Sequence, residues 1–247
     1  MSLSAGNIKG SDILEEFISE SGIDLSEVYD FVTGKRYAAV ILNNGNIGIA
    51  ANIINITDFD FISAGSFDVK IPEHRLFLSA YFNAHFNYAD NNLLHEDLFS
   101  IVDFSFYKSL VMVGYSKPMT EKLKKKNVSV HIFDNQVEAP FIKDQSMLNS
   151  YIAKSDSVIL TGTSIINNTL GEILNNAKQN SDIFLTGPSV PMSKYILEKK
   201  NIKGLFGTVF TENTGKIIDL IKKDKGTDCL KKYGKKVAMI KLQDGNL

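Results

Sequence analysis

The chain has 247 residues, 44% of them hydrophobic, and a formal net charge of −1 at pH 7, which together indicate a globular protein with one large core or two modest ones. Its single cysteine, Cys229, excludes an internal disulfide framework and a zinc site of paired cysteines, so we expect a cytoplasmic protein. No apolar run reaches the roughly 20 residues that cross a bilayer, and no membrane partner is predicted.

Charge is divided unevenly along the chain. Acidic side chains outnumber basic ones in residues 1–110, and basic ones outnumber acidic ones in residues 111–247. This asymmetry predicts two domains with complementary surfaces, a cleft with one acidic and one basic wall, or simply a solvated lysine-rich surface. The only arginines are Arg36 and Arg75, whereas recognition of bases and phosphates favours arginine, so we expect no nucleic-acid partner.

The amino-terminal third predicts a mixed unit of helix and antiparallel strands. Ser11 is placed to cap a short helix whose apolar residues at positions 13, 14, 17 and 18 form one stripe. A hairpin follows, because the segments RYAAVILN and NIGIAANII flank Asn44-Gly45, a pair that accepts the positive φ angles of a tight turn. Residues 57–72 are predicted to be irregular.

Pro72 begins a second predicted helix, which runs to about Tyr88 and carries its apolar residues on one face. Asn83 falls on the edge of that apolar stripe. A buried amide must find a hydrogen-bond partner, either a neighbouring backbone group or something in a cleft. Asn83 is therefore a candidate binding residue, and a backbone partner is the plainer alternative.

From about residue 109 the pattern changes to short apolar strands that alternate with helical segments, which is typical of a parallel sheet with crossover helices. The predicted strands are SLVMVG, VSVHIFD, SVILTG, DIFLTG, GLFGTVF and KKVAMIKL. The predicted helices are MTEKLKKK, residues 168–179, MSKYILEKK and ENTGKIIDLIKK. The change of pattern predicts two domains, residues 1–100 and residues 101–247.

Small turn residues follow several of these strands. They are Gly114-Tyr115-Ser116, Gly162-Thr163-Ser164 and Gly187-Pro188-Ser189, and a fourth strand ends in Gly207-Thr208. Because the carboxyl ends of parallel strands line one edge of a sheet, these turns are predicted to form one ligand-binding rim. Helix capping is the alternative, since Thr169 and Glu172 match a capping box.

The rim lacks the patterns of several familiar sites. Its first turn does not have the GxGxxG spacing of a dinucleotide site, although Asp134 ends the second strand where a ribose-binding acid could lie. A Ser-His-Asp set and a phosphate-binding loop are not recognisable either. The sequence leaves open whether any of the four histidines binds a metal: His74, His85, His95 and His131.

The carboxyl-terminal half resembles a known family. TGTSIINNTLGEIL, FLTGPSVPM, GLFGTVF and KKYGKKV occur in order across about residues 105–240 and are similar to motifs of the family named Putative heavy-metal chelation. The segment SAYFNA, which ends at Ala84, resembles a helix of the domain that commonly precedes it, which is similar to the amino-terminal domain of enolase. The resemblance implies an α/β fold, with a Rossmann-like, mostly parallel sheet and helices on both faces, preceded by a smaller α+β domain.

The resemblance also implies a site between the two domains, with Asn83 of the first domain facing two turns of the second. Together with the rim, the candidate ligand-binding residues are Asn83, Gly114, Gly162, Thr163, Ser164, Asn167, Thr169, Gly187, Pro188, Ser189, Gly207 and Thr208. Two positions depart from the family's pattern. Val190 follows Gly-Pro-Ser where threonine is usual, and Asp134 ends a strand where a glutamate is common.

Three functions stay open. The first is binding of a metal ion, a metal chelate or a related anionic small molecule in the cleft between the domains, or a part in making such a molecule. Hydroxyls, amides and helix starts suit an organic ligand or a chelate better than a bare ion. The second is a nucleotide- or S-adenosylmethionine-dependent enzyme with a degenerate fingerprint, and the third is a non-catalytic assembly protein. A homo-oligomer is compatible with the sequence. The cofactor stays open, and a metal ion or metal chelate is one candidate.

Overall fold

The computed structural model describes residues 12–89 and 93–241, which form two sheets. The first sheet is antiparallel and has three strands in chain order, β1 (Val28–Thr33), β2 (Tyr37–Leu42) and β3 (Ile47–Ala51). Two helices belong to this part of the chain, α1 (Ile13–Ser21) and α2 (Pro72–Phe86).

The second sheet has six strands in the order β5-β4-β6-β7-β8-β9, of which the first five are parallel and β9 is antiparallel to β8. The strands are β4 (Leu110–Val113), β5 (His131–Phe133), β6 (Ser157–Thr161), β7 (Asp182–Thr186), β8 (Ile202–Val209) and β9 (Lys235–Ile240). The helices are α3 (Leu98–Ile101), α4 (Lys117–Lys125), α5 (Leu148–Ile152), α6 (Thr163–Ile166), α7 (Leu170–Asn176), α8 (Lys194–Leu197), α9 (Thr214–Lys222) and α10 (Thr227–Leu230).

Helices cover both faces of the second sheet because its strands are apolar on both faces. One face packs Met112 and Phe184 against Leu98 of α3 and Leu123 of α4. The opposite face packs against apolar residues of α5, α6, α7 and α8, and this cluster continues without a break into α1 and α2. The two sheets therefore share one core.

The first sheet lies between two layers of helix. α1 and α2 cover one face. The other face is covered by the carboxyl-terminal helices, since Ala39 and Ile41 of β2 pack with Ile217 and Ile221 of α9. Helix α2 approaches β3 so closely that a Cβ on Gly48 would lie 1.9 Å from the Ala80 carbonyl oxygen, so only glycine fits there.

Most predicted elements are present, and the predicted fold class is confirmed. The Asn44-Gly45 hairpin, the helix that begins at Pro72 and the six strands of the second sheet all form. Strand β1 and the short helices α3, α5, α6 and α10 were not predicted. The helix expected over residues 168–179 is present but shorter, as α7, and Asn168, with a left-handed φ of +55°, separates it from the preceding α6.

Two predictions about the ends of the first domain have different outcomes. Ser11, predicted to cap α1, lies outside the described residues, and the structure has Asp12 at the cap, where its side chain accepts from Leu14 N at 3.0 Å. The division into residues 1–100 and 101–247 stays a prediction.

None of the helices in the described ranges is both long enough and apolar enough to cross a membrane.

Candidate functional site

The turns after β4, β6 and β7 meet at one edge of the second sheet. Gly114 adopts φ +93° and lies against Thr161, since a Cβ on Gly114 would be 2.3 Å from Thr161 Oγ1. The Thr161 and Thr163 hydroxyls are 2.6 Å apart. Gly162 lies against the following turn, because a Cβ there would be 2.6 Å from the Ser189 carbonyl. The rim is thus one continuous surface, and its glycines permit close packing between turns.

Side chains cover the outer edge of β3, where backbone groups of an edge strand would otherwise lack partners. Three side chains each bond to one residue of β3: Asn83 to Ile49 at 2.8 Å, Ser189 to Ala51 at 2.9 Å and Tyr88 to Ile47 at 2.9 Å. The Asn83 amide and the Tyr88 hydroxyl donate, and the Ser189 hydroxyl accepts. Two candidate ligand-binding residues therefore have a structural role: Asn83 ties α2 to β3, and Ser189 joins β3 to the turn after β7.

A row of polar side chains runs along α2 at intervals of four residues and continues to the residue that follows the helix. Its members, which we call the α2 polar row, are Arg75, Ser79, Asn83 and Asn87. All four are buried, and the spacing places them on one face of the helix. At its far end, Asn87 Oδ1 accepts from Met192 N at 2.7 Å. Arg75 and Asn87 connect this face of α2 to the second sheet's turns, and Asn83 connects it to β3.

Arg75 begins the row and uses all five of its N–H groups. Nε donates to Ile166 O at 2.6 Å, and Nη2 donates to Ile165 O. Nη1 donates to Val69 O at 3.0 Å, and both terminal nitrogens pair with the carboxylate of Asp12. A planar guanidinium is needed here because no other side chain has five donors in a fixed fork.

Three buried polar atoms on α2 and α6 have no hydrogen-bond partner among the described residues. They are Ser79 Oγ, Asn83 Oδ1 and Ser164 Oγ. The two helices contact each other, and Ser164 directly precedes Ile165, whose carbonyl binds Arg75. Each unpaired polar atom in such a place destabilises the fold by about 1–3 kcal/mol. These atoms are free to bond to water or to a polar group of a ligand.

The α6–α7 turn is held together by its own side chains. Asn167 lies 2.8 Å from Thr169 Oγ1, and with its amide nitrogen facing inward it donates to Thr163 O at 3.0 Å and Ser164 O at 3.1 Å. The capping box predicted for Thr169 and Glu172 is wrong, because Thr169 makes no cap bond and Glu172 accepts from a side chain of α5. The turn's hydroxyl and amide groups therefore fix its shape.

Asp134 directly follows β5, at the predicted place, but its carboxylate is occupied. Oδ2 accepts from Tyr115 N at 2.6 Å, and Oδ1 accepts from Gln136 N at 2.7 Å and from Val137 N at 2.9 Å. The carboxylate closes the loop that follows β5. No observation here favours the nucleotide or S-adenosylmethionine hypothesis.

Gly207 and Thr208 lie inside β8, which continues to Val209, so the prediction that they form a turn is wrong. Gly207 faces the β7–α8 connection, where a Cβ would lie 3.0 Å from Val190 O. Thr208 points to the opposite face, because side chains alternate along a strand, and its Oγ1 lies 3.4 Å from Lys236 Nζ. Thr208 is therefore not on the same surface as the rest of the rim.

A cleft of about 640 Å³ opens beside the contact between α2 and α6. It is lined from the first part of the chain by Asp12, Glu15, Ile54, Val69, Lys70, Pro72 and Arg75, and from the α6–α7 turn by Ile166, Asn167 and Asn168. Glu15 and Lys70 have no ion-pair partner among the described residues. The volume is that of a small-molecule site. Of the predicted candidates, only Asn167 lines this cleft.

The side chains do not fit a bare metal ion. Within residues 12–89 and 93–241 no group of three His, Cys, Asp or Glu side chains could hold one. His74 Nδ1 accepts from Asp68 N at 2.9 Å, and His85 Nε2 lies 3.1 Å from Glu27 Oε2. Desolvation lowers the pKa of His85, although Glu27 opposes that shift.

The residues of this region that were not predicted include Ser79, Lys70, Arg75 and Asn168. Arg75 could have been identified from the sequence, because it interrupts an apolar helix and stands eight residues before Asn83, on the same face. Lys70 and Asn168 lie outside regular elements, so no periodicity marks them.

Comparison with known proteins gives a family and two structures. Residues 97–240 match the family model DUF364, described as "Putative heavy-metal chelation". A crystal structure from that family, of a Pyrococcus horikoshii protein with unknown function, has a TM-score of 0.76 at 19% identity and covers 94% of this chain and 99% of its own. Another, from Desulfitobacterium hafniense DCB-2, has a TM-score of 0.76 at 19% identity and covers 93% and 98%. No curated protein matches. The likeness of the first sheet to the amino-terminal domain of enolase stays a prediction.

Proposed function

The chain belongs to the family described as "Putative heavy-metal chelation", and from that premise we propose that it binds a metal chelate or a related anionic small molecule between its two sheets. The ligand would lie in the 640 Å³ cleft and reach the contact between α2 and α6. Of the residues that the sequence identified as candidates, Asn167 lines the cleft, whereas Asn83 and Ser164 belong to the two helices but not to the cleft's lining.

The observation that carries the proposal is the set of unpaired polar atoms on α2 and α6. Ser79, Asn83 and Ser164 are each at most 4% exposed, and each has a side-chain oxygen without a partner among the described residues. A fold that needed these residues only for packing would be more stable with apolar ones. Polar atoms kept at such a cost are typical of a binding site.

The chemistry of the cleft supports an organic or chelated ligand. Lys70 offers an ammonium group without an ion-pair partner in the described part of the chain, and Asn168 offers an amide. The Asp12 carboxylate is already paired with Arg75. A bare ion would need several anionic or imidazole ligands together, whereas an anion or a chelate with free oxygens is matched by a cation and amide donors.

The experiment compares binding with stability in Ser164→Ala. The full chain is purified gently without a chelator, and native mass spectra are recorded for a co-purifying mass, followed by calorimetric titration with ferric citrate. If Ser164 only packs, the variant binds like the unchanged protein. If Ser164 contacts the ligand, we expect affinity to fall about fivefold or more while the free energy of unfolding stays equal or rises.

Ser157→Ala is the matched control. Ser157 is fully buried and its hydroxyl is also unpaired, but it lies at the amino end of β6, at the opposite edge of the sheet. We expect it to leave binding unchanged. Equal binding by both variants, or equal loss in both, would remove the proposed siting.

A second pair of variants tests the mouth of the cleft. Asn168→Gly removes an amide but tolerates the left-handed backbone at φ +55°. Asn127→Gly makes the same change at φ +56° at the end of α4, away from the cleft. We expect only the first variant to weaken binding.

A further inference from the structure

A second cavity lies at the other end of α2. Its volume is about 360 Å³, and it is bounded by the carboxyl end of α2, the start of α8 and strand β9. Pro72 and Arg75, at the first end of α2, line the cleft described above, whereas Phe86 lines this cavity. The helix rises about 1.5 Å per residue, so the two sites are separated by most of its length.

The walls of this cavity combine polar groups, among them Lys194 and Ser193, with apolar and polarizable side chains. They include the rings of Phe86 and Tyr195 and the thioethers of Met192 and Met239. Met192 is buried, and Tyr195 is 39% exposed. Methionine sulfur and aromatic rings both contact aromatic groups favourably, and methionine adapts to irregular shapes. Such walls suit a flat aromatic molecule.

One hydroxyl in the wall has no partner. Ser193 is 1% exposed, and its Oγ makes no hydrogen bond within the described residues. It stands at the N-cap position directly before α8, but its side chain does not cap that helix. The backbone of Ser193 is satisfied, since its N donates to Pro191 O at 2.9 Å and its carbonyl accepts from Leu197 N at 3.1 Å. Only the hydroxyl is left for a ligand.

We propose that this cavity binds a planar aromatic molecule of one or two rings that carries a single hydrogen-bonding atom directed at Ser193 Oγ. A ring nitrogen would accept from the hydroxyl, and the ring faces would lie between Phe86, Tyr195 and the two thioethers. The volume is at the lower end of the range for small-molecule sites. This site does not depend on the function proposed for the cleft.

Methyl NMR of methionine-labelled full-length protein tests the proposal, with quinoline and naphthalene as probes. Quinoline has one acceptor nitrogen, and naphthalene has the same shape without it. We expect quinoline to shift the Met192 and Met239 methyl signals in a saturable way and to leave Met112 and Met119 unchanged. The latter two pack on the opposite face of the second sheet and serve as internal controls.

Ser193→Ala separates the hydroxyl from the walls. We expect this variant to bind quinoline about fivefold more weakly, the factor for one neutral hydrogen bond, and to bind naphthalene within about twofold of the original affinity. Ser181→Ala is the control, because Ser181 is also 1% exposed with an unpaired hydroxyl but lies before β7. The absence of shifts at millimolar probe would overturn the proposal, as would equal losses for both probes in Ser193→Ala.

Discussion

Arg75 connects four segments of the chain through one guanidinium. Its acceptors are the Asp12 carboxylate and the carbonyls of Val69, Ile165 and Ile166. Arg75 and Asp12 are each 7% exposed, so the pair is largely removed from water. The contribution of this pair to the stability of the fold therefore depends on every donor and acceptor having a hydrogen-bond partner.

Arg75→Lys is expected to lower the free energy of unfolding by about 2–4 kcal/mol. Lysine keeps the charge but has three donors instead of five, so buried carbonyls lose their partners. Urea unfolding measures the change. The matched control is Arg36→Lys at an exposed position, which we expect to change stability by less than about 0.5 kcal/mol. Equal effects from the two variants would contradict this account of Arg75.

His85 predicts a pH dependence of stability. Burial against Tyr81 lowers the pKa of His85 below its ordinary 6.5, despite the nearby Glu27 and Asp24 carboxylates. As pH falls below 6.5, the unfolded chain therefore takes up the proton before the folded chain does. The stability that His85 contributes is complete above that pH and is lost as pH falls towards its folded-state pKa.

The His85→Gln variant should have a flatter stability profile between pH 7.5 and pH 5 than the unchanged protein. Free energies of unfolding in urea at three pH values measure the slope. His95→Gln, at an exposed position, is the control and should keep the original slope. An unchanged slope in His85→Gln would assign the pH dependence to other groups.

Strand β3 illustrates how an element with an unpaired edge is completed by side chains. Tyr88 is the most connected of these, because its hydroxyl bonds to Ile47 O at 2.9 Å, lies 3.1 Å from Phe210 O and accepts from Phe210 N at 2.9 Å. Phe210 directly follows β8. One hydroxyl therefore joins the edge of the first sheet to the end of a strand in the second, and burial raises its pKa.

Removing that hydroxyl in Tyr88→Phe is expected to lower the free energy of unfolding by about 1–3 kcal/mol, since buried backbone groups of Ile47 and Phe210 lose their partner. The Tyr88 hydroxyl also accepts from Ile47 N at 3.3 Å. Hydrogen exchange therefore gives a local readout, in which the Ile47 and Phe210 amides should exchange faster than other amides of β3 and β8. Tyr195→Phe, on a partly exposed ring, provides the comparison. If the two amides kept their protection, the bridging role of Tyr88 would be wrong.

Elements that a short sequence pattern marks could be predicted, whereas features that depend on contacts between distant parts of the chain could not. Asn44-Gly45 and Pro72 encode a turn and a helix start by their own backbone preferences. β1 was missed because its strand includes Asp30 and is irregular in register beside it, so its apolar alternation is weak. The rim could be predicted from the rule for parallel strands, whereas the bond from Ser189 to Ala51 spans 138 residues and leaves no local pattern.

At the scale of the whole molecule, the carboxyl-terminal part of the chain returns to the first sheet. After the second sheet is nearly complete, α9 and α10 pack on the first sheet, with Phe210, Ile217 and Leu230 in one cluster with Val32 and Ile41. The close approach is also polar, because Lys35 N donates to Asp224 Oδ1 at 2.6 Å. The three-stranded sheet thus obtains one of its two covering layers from the carboxyl-terminal part of the chain.

This return of the chain predicts that the two predicted domains do not fold separately. Residues 1–100 alone would expose the β2 and β3 face that α9 covers, and residues 101–247 alone would expose the α9 residues and the sheet face that packs against α1 and α2. We expect neither fragment to unfold cooperatively in a calorimeter, and we expect co-expressed fragments to purify as a one-to-one complex with a single transition. The contrary result would be a cooperative transition of residues 101–247 alone, near the melting temperature of the intact chain. The second sheet would then be an independent domain, and α9 would be a movable contact between two folded units.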